Sequence, residues 1–424
     1  MSETKSATAN PLVTVEEVMR ARHRLRGVAL HTPLQRVSRL SAEYEANIFF
    51  KREDLQEVRS YKIRGSYNKM STLTEEQLAK GVVCASAGNH AQGMAYACAQ
   101  LKVQGHIYMP AVTPRQKVGK VRMFGKEFVE IILVGDTYDD AATEARRAAE
   151  RNGYTYVPPF DDREVIAGQG TVGLEILDDI PQRVDYLLMA VGGGGLSSGV
   201  GSVFKQLSPH TKIYGVEPSG APAMHDSLKA GKMLSLDKID NFVDGAAVKR
   251  VGKLTFPIAQ QVLEEVLLVP EGKSCATLME LYNEEAIVVE PAGTLPVAAL
   301  DQLREEIKGK TVVCVIGGGN NDITRTEEIR ERALLYSGLK HYFIVEFPQR
   351  SGALREFLNE VLGPTDDITH FEYTKKHNRA TGPALVGLQL ANAEDYDALI
   401  ERMEAKNFTY EHLNDRPLLF EMFM

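Results

Sequence analysis

The sequence has few cysteines, no long apolar run and no excess of positive charge, and each absence excludes a class of protein. Its four cysteines are Cys84, Cys98, Cys275 and Cys314. They lie far apart, without a Cys-x-x-Cys pair or a histidine at metal-ligand spacing, which argues against a disulfide framework and a zinc site. The pattern predicts reduced thiols in a cytoplasmic protein. No segment has the apolar length of a signal peptide or a membrane span.

The charge balance argues against nucleic acid or an anionic membrane as a partner. The chain of 424 residues carries 49 basic and 57 acidic residues, a net charge of -8. One basic run stands out, formed by Arg115, Lys117, Lys120, Arg122 and Lys126. We interpret it as the solvated face of one helix.

Short apolar, β-prone runs alternate with helical segments over most of the chain. The runs 82–85, 106–109, 128–134, 184–191, 212–216 and 311–316 are predicted strands. This alternation predicts a parallel sheet covered by helices on both faces, with ligands at the carboxyl ends of its strands. From about residue 338 the predicted order changes to β-α-β-β-α-β, which is typical of a ferredoxin-like unit.

A lysine lies between an aromatic and an apolar residue at the predicted start of a helix, in Ser60-Tyr-Lys-Ile-Arg-Gly65. Burial of Lys62, with Arg64 two residues on, would disfavour the ammonium form and lower the pKa of the amine. Such an amine attacks aldehydes, so Schiff-base chemistry is the hypothesis to test. On this stretch alone, a surface lysine that extends its ammonium into water remains an alternative.

Three glycine-rich stretches follow predicted strands. Ser86 to Gly93 leads into a helix whose first amides suit a carboxylate, although a turn capped by Asn89 is an alternative. His90 alone is more often structural than catalytic. The four glycines before Leu196 suit a loop that wraps a phosphate. A third cluster, residues 317–319, predicts another wall of the same pocket, or simply a tight strand-to-helix turn.

The second stretch also imitates another kind of site. Gly193-x-Gly195-x-x-x-Gly199, followed by Glu217 at the end of the next strand, is similar to a dinucleotide-binding fingerprint. A nicotinamide-dependent oxidoreductase therefore remains an alternative on that segment.

Taken together and in order, these motifs resemble the pyridoxal-phosphate-dependent threonine dehydratases. The motifs are Lys51-Arg-Glu-Asp54, Ser60 to Gly65, Ser86 to His90, Gly192 to Leu196 and Gly318-Gly-Asn320. The resemblance implies the α/β fold of tryptophan synthase β and serine racemase (fold type II), with two domains of parallel or mixed sheets. The large catalytic domain would comprise 13–51 and 158–330, and the small one 52–157. The tail, 338–424, resembles a single ferredoxin-like, ACT-like α+β regulatory domain through the segment Phe347 to Leu354.

The resemblance also implies roles for individual residues. Lys62 would bind pyridoxal 5′-phosphate covalently and later take the substrate α-proton, and Asn89 would bind the 3-hydroxyl of the cofactor. The phosphate would be bound by Gly192, Gly193, Gly194, Gly195 and Leu196. The substrate carboxylate would be bound by Ser86, Ala87, Gly88, Asn89 and His90. The family usually places a serine beside the pyridine nitrogen, where this chain has Gly317, so that side-chain contact is in doubt.

The implied activity is conversion of L-threonine to 2-oxobutanoate and ammonia, the first step of isoleucine biosynthesis. The family resemblance further implies a cytoplasmic homotetramer, inhibited by isoleucine and with valine as antagonist. No metal ligand is assigned, although Glu217 could help to bind a cation. A serine racemase or serine dehydratase of the same fold is the first alternative, and the nicotinamide enzyme and a catalytically idle amino-acid sensor are the others.

Overall fold

The computed structural model describes residues 10–180, 182–373, 380–416 and 419–420, and the chain divides into two compact units between Ile323 and Thr324. Within these ranges, the helices are all too short or too polar to span a bilayer.

The first unit contains ten strands in two sheets. They are β1 (Leu34–Arg36), β2 (Asn47–Arg52), β3 (Val82–Ala85), β4 (Gly105–Met109), β5 (Val129–Leu133), β6 (Thr155–Tyr156), β7 (Tyr186–Ala190), β8 (Lys212–Pro218), β9 (Glu265–Val269) and β10 (Thr311–Ile316). The larger sheet has the order β1-β2-β10-β7-β8-β9, and its strands are parallel except for the edge strand β1. The smaller sheet, β5-β4-β3-β6, is wholly parallel. The predicted parallel architecture is therefore confirmed, with one antiparallel edge.

Helices of the first unit pack around these sheets. They are α1 (Val15–Arg24), α2 (Ser38–Glu43), α3 (Lys62–Met70), α4 (Glu75–Lys80), α5 (Asn89–Leu101), α6 (Arg115–Gly125), α7 (Tyr138–Asn152), α8 (Arg163–Asp179), α9 (Gly195–Leu207), α10 (Ala223–Ala230), α11 (Thr255–Val262), α12 (Glu271–Glu285) and α13 (Pro291–Ala298). Helices α3, α5 and α9 begin at or next to a predicted functional stretch, so the fold places these stretches at helix N-termini.

The basic run from Arg115 to Lys126 is only partly the solvated helix face that the sequence predicted. Arg115, Arg122 and Lys126 are exposed as predicted. Lys117 and Lys120 are not part of a solvated face. The Nζ atom of Lys117 lies 2.5 Å from a carboxylate oxygen of Asp244, and that of Lys120 donates to Asn320 Oδ1 at 3.1 Å. These two lysines connect α6 to the segment between α10 and α11 and to the loop that follows β10.

The second unit is an antiparallel sheet with helices. Its elements are α14 (Thr326–Tyr336), β11 (Lys340–Pro348), α15 (Ala353–Glu360), β12 (Asp367–Tyr373), β13 (Thr381–Gln389), α16 (Asp395–Ala405) and β14 (Thr409–His412). The sheet order β12-β13-β11-β14 and the β-α-β-β-α-β sequence confirm the ferredoxin-like prediction. Phe343, Phe347, Phe357 and Val386 lie in its apolar core, which is separate from those of the first unit.

Candidate active site

Lys62 lies at the carboxyl end of the larger sheet. It is the first residue of α3, and the two residues before it are joined to the loop that follows β10. Ser60 forms an antiparallel bridge with Gly318, and the Tyr61 N–H donates to the Gly317 carbonyl at 3.1 Å. These contacts bring the lysine stretch and the third glycine cluster together.

Lys62 is partly buried and the pKa of its amine is lowered. Its Nζ donates to the carbonyl of Pro159 at 3.1 Å. Burial lowers the pKa of Lys62 to about 8, although the negative charge of Glu290 opposes this shift. The predicted lowering of the Lys62 pKa is confirmed. The alternative, a surface lysine that extends its ammonium into water, is wrong.

The prediction that Arg64 helps to lower the pKa of Lys62 is wrong, because buried carboxylates neutralise the Arg64 guanidinium. Arg64 lies 2.8 Å from Glu53 and 2.6 Å from Glu175, and all three side chains are buried. Lys51, which is fully buried, pairs with Glu175 at 2.7 Å. This four-residue cluster, Lys51, Glu53, Arg64 and Glu175, ties α3 to α8 and gives the Lys51-Arg-Glu-Asp54 stretch a structural role.

The stretch from Gly192 to Leu196 leads from β7 into the start of α9, and its four glycines have little room for side chains. A Cβ atom at Gly193 would lie 2.3 Å from the ring of Phe160, and Gly194 has a φ of +90°. Thr255 fixes the loop by donating from Oγ1 to the Gly193 carbonyl at 2.6 Å. Backbone N–H groups at the start of α9 are therefore available to an anion.

This loop and Lys62 line one small cavity. The lining residues are Tyr61, Lys62, Phe160, Ala190, residues 192–196 and Gly245. An amine of lowered pKa on one side and a bare loop at a helix N-terminus on the other fit an aldehyde that carries a phosphate. The chain thus has the residues that pyridoxal 5′-phosphate requires.

Ser86 to His90 connects β3 to α5. Gly88 is the N-cap of α5, so the first N–H groups of this helix have no partner within it. The His90 ring is occupied by the protein: Nε2 lies 2.8 Å from the Val157 carbonyl and Nδ1 3.3 Å from Ser66 Oγ. Burial lowers the pKa of His90 to about 3, and Lys62 contributes, so the ring is neutral. What His90 can offer a carboxylate is its backbone N–H.

Asn89 is held by two side chains that sequence reasoning did not connect to it. Its Nδ2 donates to Glu290 Oε1 at 2.7 Å, and its Oδ1 accepts from Asn320 Nδ2 at 2.8 Å. Glu290 was not predicted as a site residue. The sequence feature that could have drawn attention to Glu290 is its position between the apolar run 287–289 and Pro291. Burial raises the pKa of Glu290 to about 7, with Asp244 adding to the shift.

Gly317, in the place of the family's usual serine, has space for a side chain. Its φ is not positive, and an added Cβ would meet only the Tyr61 ring at 3.4 Å, an ordinary contact. We therefore expect Gly317→Ser to fold and to retain activity. If the new hydroxyl forms one hydrogen bond to the cofactor, the dissociation constant should fall by up to about tenfold, measured by titrating the apoprotein.

Gly318→Ser is the matched control for that change. A Cβ at Gly318 would lie 2.4 Å from Glu290 Oε1, so this variant should weaken cofactor binding strongly. Complete loss of cofactor from Gly317→Ser as well would show that Gly317 serves the backbone.

Glu217 is unavailable to a nucleotide ribose. It is fully buried and accepts from the N–H groups of Met224 and His225, both at 2.9 Å, at the start of α10. Burial raises the pKa of Glu217 to about 8. Among the described residues, no group of three or more His, Cys, Asp or Glu side chains is arranged to bind a metal.

Comparison with known families assigns both units. Residues 26–318 match a family described as pyridoxal-phosphate dependent enzyme. Residues 331–423 match a family described as the C-terminal regulatory domain of threonine dehydratase.

Individual relatives agree with these matches. The biosynthetic L-threonine dehydratase of Bacillus subtilis is 57% identical over 413 residues, which cover 97% of this chain and 98% of the relative. That of Halalkalibacterium halodurans is 56% identical over 410 residues, 97% of this chain and 99% of the relative. The processed form of threonine deaminase isoform 2 from Solanum lycopersicum superposes with a TM-score of 0.71 at 38% identity. That match covers 76% of this chain and 95% of the tomato chain.

Proposed function

The chain belongs to the threonine dehydratases of the pyridoxal-phosphate-dependent enzymes, and we propose that its reaction takes place between Lys62 and the Gly192–Leu196 loop. The enzyme converts L-threonine to 2-oxobutanoate and ammonia, the first step of isoleucine biosynthesis. The nicotinamide alternative is wrong, because the family matched over residues 26–318 uses pyridoxal phosphate. The idle-sensor alternative is also wrong.

The observation that carries this site is the amine of Lys62 beside the phosphate loop. Because burial lowers its pKa to about 8, about a tenth of the amine is unprotonated at pH 7, far more than for an ordinary lysine, and can accept the α-proton of the substrate at Nζ. Pyridoxal 5′-phosphate, when bound, supplies an electron sink for the α-carbon. The purified protein should be yellow, lose its colour on borohydride treatment and release 2-oxobutanoate from L-threonine.

We assign the other groups as follows. The N–H groups of residues 192–196 bind the phosphate, and Asn89 Nδ2 donates to the 3-hydroxyl of the cofactor. The N–H groups of residues 86–90 bind the substrate carboxylate at the start of α5. Gly317 has no side chain that could keep the pyridine nitrogen of the cofactor protonated. The ring is then a moderate electron sink, which suits an elimination that needs only brief stabilisation of negative charge on the α-carbon. The larger sheet would belong to a domain of residues 13–51 and 158–330, and the smaller sheet to a domain of residues 52–157.

Ala87 decides between this reaction and racemisation. Racemisation requires an acid on the face of the α-carbon opposite Lys62, and serine racemases resemble this family but have a serine where this chain has Ala87. A methyl group cannot donate a proton. We therefore expect L-serine to be dehydrated with little D-serine formed, as measured by chiral chromatography. D-serine as a major product would favour the racemase.

The second unit has a cavity that suits an amino-acid effector. Its volume is about 400 Å³, and it lies where β11 leads into α15. The lining residues are Phe347, Pro348, Arg350, Gly352, Ala353, Leu354, Arg355, Leu358, Phe371 and Tyr373. Two guanidinium groups and an apolar wall match the carboxylate and aliphatic side chain of isoleucine or valine. We place isoleucine inhibition and valine antagonism in this cavity. The alternative is that the unit only assembles the oligomer.

Arg355→Ala tests that placement. Arg350 is already paired with Glu356, so Arg355 is the better candidate for the effector carboxylate. We expect the isoleucine concentration for half-inhibition to rise at least about tenfold, while turnover without isoleucine stays unchanged. Lys406→Ala, which removes a surface pair between the end of α16 and Glu360 at the end of α15, is the control and should respond as the wild type does. An Arg355→Ala enzyme inhibited at the wild-type concentration would place the effector elsewhere.

The edge strands of the second unit and the four cysteines support proposals on oligomeric state and cellular location. The sheet of the second unit ends in the edge strands β12 and β14, which a copy from another subunit could cover, so we propose a homo-oligomer and specifically a homotetramer. We also propose a cytoplasmic location, because all four cysteines are buried free thiols.

A further inference from the structure

A continuous chain of side-chain hydrogen bonds connects a lysine of α6 with a glutamate of α13 through Asn89. Lys120 Nζ donates to Asn320 Oδ1 at 3.1 Å. Asn320 Nδ2 donates to Asn89 Oδ1 at 2.8 Å and to the Val58 carbonyl at 2.8 Å. Asn89 Nδ2 then donates to Glu290 Oε1 at 2.7 Å. We call Lys120, Asn320, Asn89 and Glu290 the amide relay.

The two ends of the amide relay impose the same direction on it. An ammonium group can only donate, so the oxygen of Asn320 must face Lys120 and its NH₂ must face Asn89. Above a pH of about 7 Glu290 is mostly ionised and can only accept, so the NH₂ of Asn89 must then face it. A flipped Asn89 amide would set oxygen against oxygen at Glu290 and NH₂ against NH₂ at Asn320. Its direction is therefore fixed twice, from opposite ends.

Burial shields both ends from bulk water, and it lowers the pKa of Lys120 and raises that of Glu290 to about 7. Glu290 is 6% exposed, and Lys120 is partly buried. Other charged groups also act at the two ends. Arg59 and Asp322 act on Lys120, and Asp244 and Lys117 act on Glu290. Lys120 and Glu290 also attract one another, which favours the charged forms of both.

We propose that Lys120 and Glu290 are positioning residues that fix the Asn89 amide as a hydrogen-bond donor towards the cofactor. The inference rests on the role proposed above for Asn89. With Oδ1 engaged by Asn320 and one N–H by Glu290, the second N–H of Asn89 is the group left for the 3-oxygen of the cofactor ring. Neither Lys120 nor Glu290 needs to contact the cofactor for this effect.

Asn320→Asp tests the direction of the amide relay with almost no change of shape. A carboxylate at position 320 still accepts from Lys120 but cannot donate to Asn89, so either orientation of the Asn89 amide now sets oxygen against oxygen, at the new carboxylate or at Glu290. We expect the dissociation constant of pyridoxal 5′-phosphate, measured by titrating the apoprotein, to rise at least about tenfold, the equivalent of one charge-assisted hydrogen bond. The absorption maximum of the bound cofactor should also shift. Asn320→Asp binding within about twofold of wild type would overturn the proposal.

Lys120→Met and Glu290→Gln form a double-mutant cycle that decides the question if Asn320→Asp does not fold. Because either end alone can set the direction, each single change should weaken cofactor binding by only about threefold, and the double change by clearly more than the product. Effects that simply multiply would contradict a shared direction. Lys249→Met, which removes a similar pair with Asp139 outside the relay, is the control and should bind cofactor as the wild type does.

Asn89→Ala separates this inference from its premise. If Asn89→Ala weakens cofactor binding strongly while Asn320→Asp does not, the role of Asn89 stands and the amide relay is wrong. If Asn89→Ala has no effect, the assignment of Asn89 itself fails, and the relay with it.

Discussion

We expect Lys62→Ala to abolish the visible absorbance of the bound cofactor and to lower turnover of L-threonine at least about a thousandfold. In the proposed site the same amine anchors the cofactor and accepts the α-proton, so one substitution would remove both functions. Among the described residues that line the cavity, Lys62 is the one with an amine, and none can replace it. Absorption spectra of the variant and a 2-oxobutanoate assay measure the two losses.

Lys69→Ala is the matched control for that variant. Lys69 lies on the same helix, α3, and pairs with Asp162 at 2.7 Å, outside the residues that line the cavity. Its loss should leave turnover within about twofold of wild type. If Lys62→Ala retained near wild-type turnover, the proposed site would be wrong.

We expect Arg64→Met to lower the free energy of unfolding by about 3–5 kcal/mol. The substitution preserves much of the volume of Arg64 but leaves the carboxylates of Glu53 and Glu175 buried with only Lys51 to compensate them. Urea unfolding of the apoprotein, followed by circular dichroism, measures the change.

The control for Arg64→Met is Arg163→Met. Arg163 pairs with Glu17 at 2.5 Å, but its side chain is 47% exposed, so its loss should cost about 1 kcal/mol or less. If Arg64→Met and Arg163→Met lowered the free energy of unfolding equally, burial would not explain the contribution of the Arg64 cluster to stability.

The sequence predicted the elements whose residues favour one local structure. The apolar runs at β3 and β10 have the predicted bounds. The pattern Thr14-x-x-Glu17 predicts a capping box, and this capping box starts α1. Helix α8 was missed. Its interior contains Gly168, Gly170 and Gly173, and glycine disfavours helices by about 1 kcal/mol per residue.

Packing explains why α8 nevertheless forms. A Cβ at Gly168 would lie 2.4 Å from the Arg64 carbonyl, so this glycine allows α8 and α3 to approach closely. The tertiary contact outweighs the local preference, and no local pattern reports it.

The site residues show the same difference between signals in neighbouring residues and contacts between distant ones. Lys62 and the glycine loop carry their signal in neighbouring residues, so the sequence could predict them, and the structure places them at one cavity. Glu290 and Lys120 act on Asn89 and Asn320 across about 200 positions of chain, and a contact of that separation leaves no periodic pattern. Lys120 was therefore interpreted as a solvated residue.

Mass-spectrometric mapping of the borohydride-reduced holoenzyme tests the central claim most directly. Reduction fixes the cofactor permanently to the amine that carries it, and digestion then identifies the labelled peptide. The account predicts a single pyridoxyl group on Lys62, and its absence when the enzyme is first saturated with L-threonine, because substrate binding frees the amine. A label on another lysine, or none on Lys62 in an enzyme that still converts threonine, would contradict it.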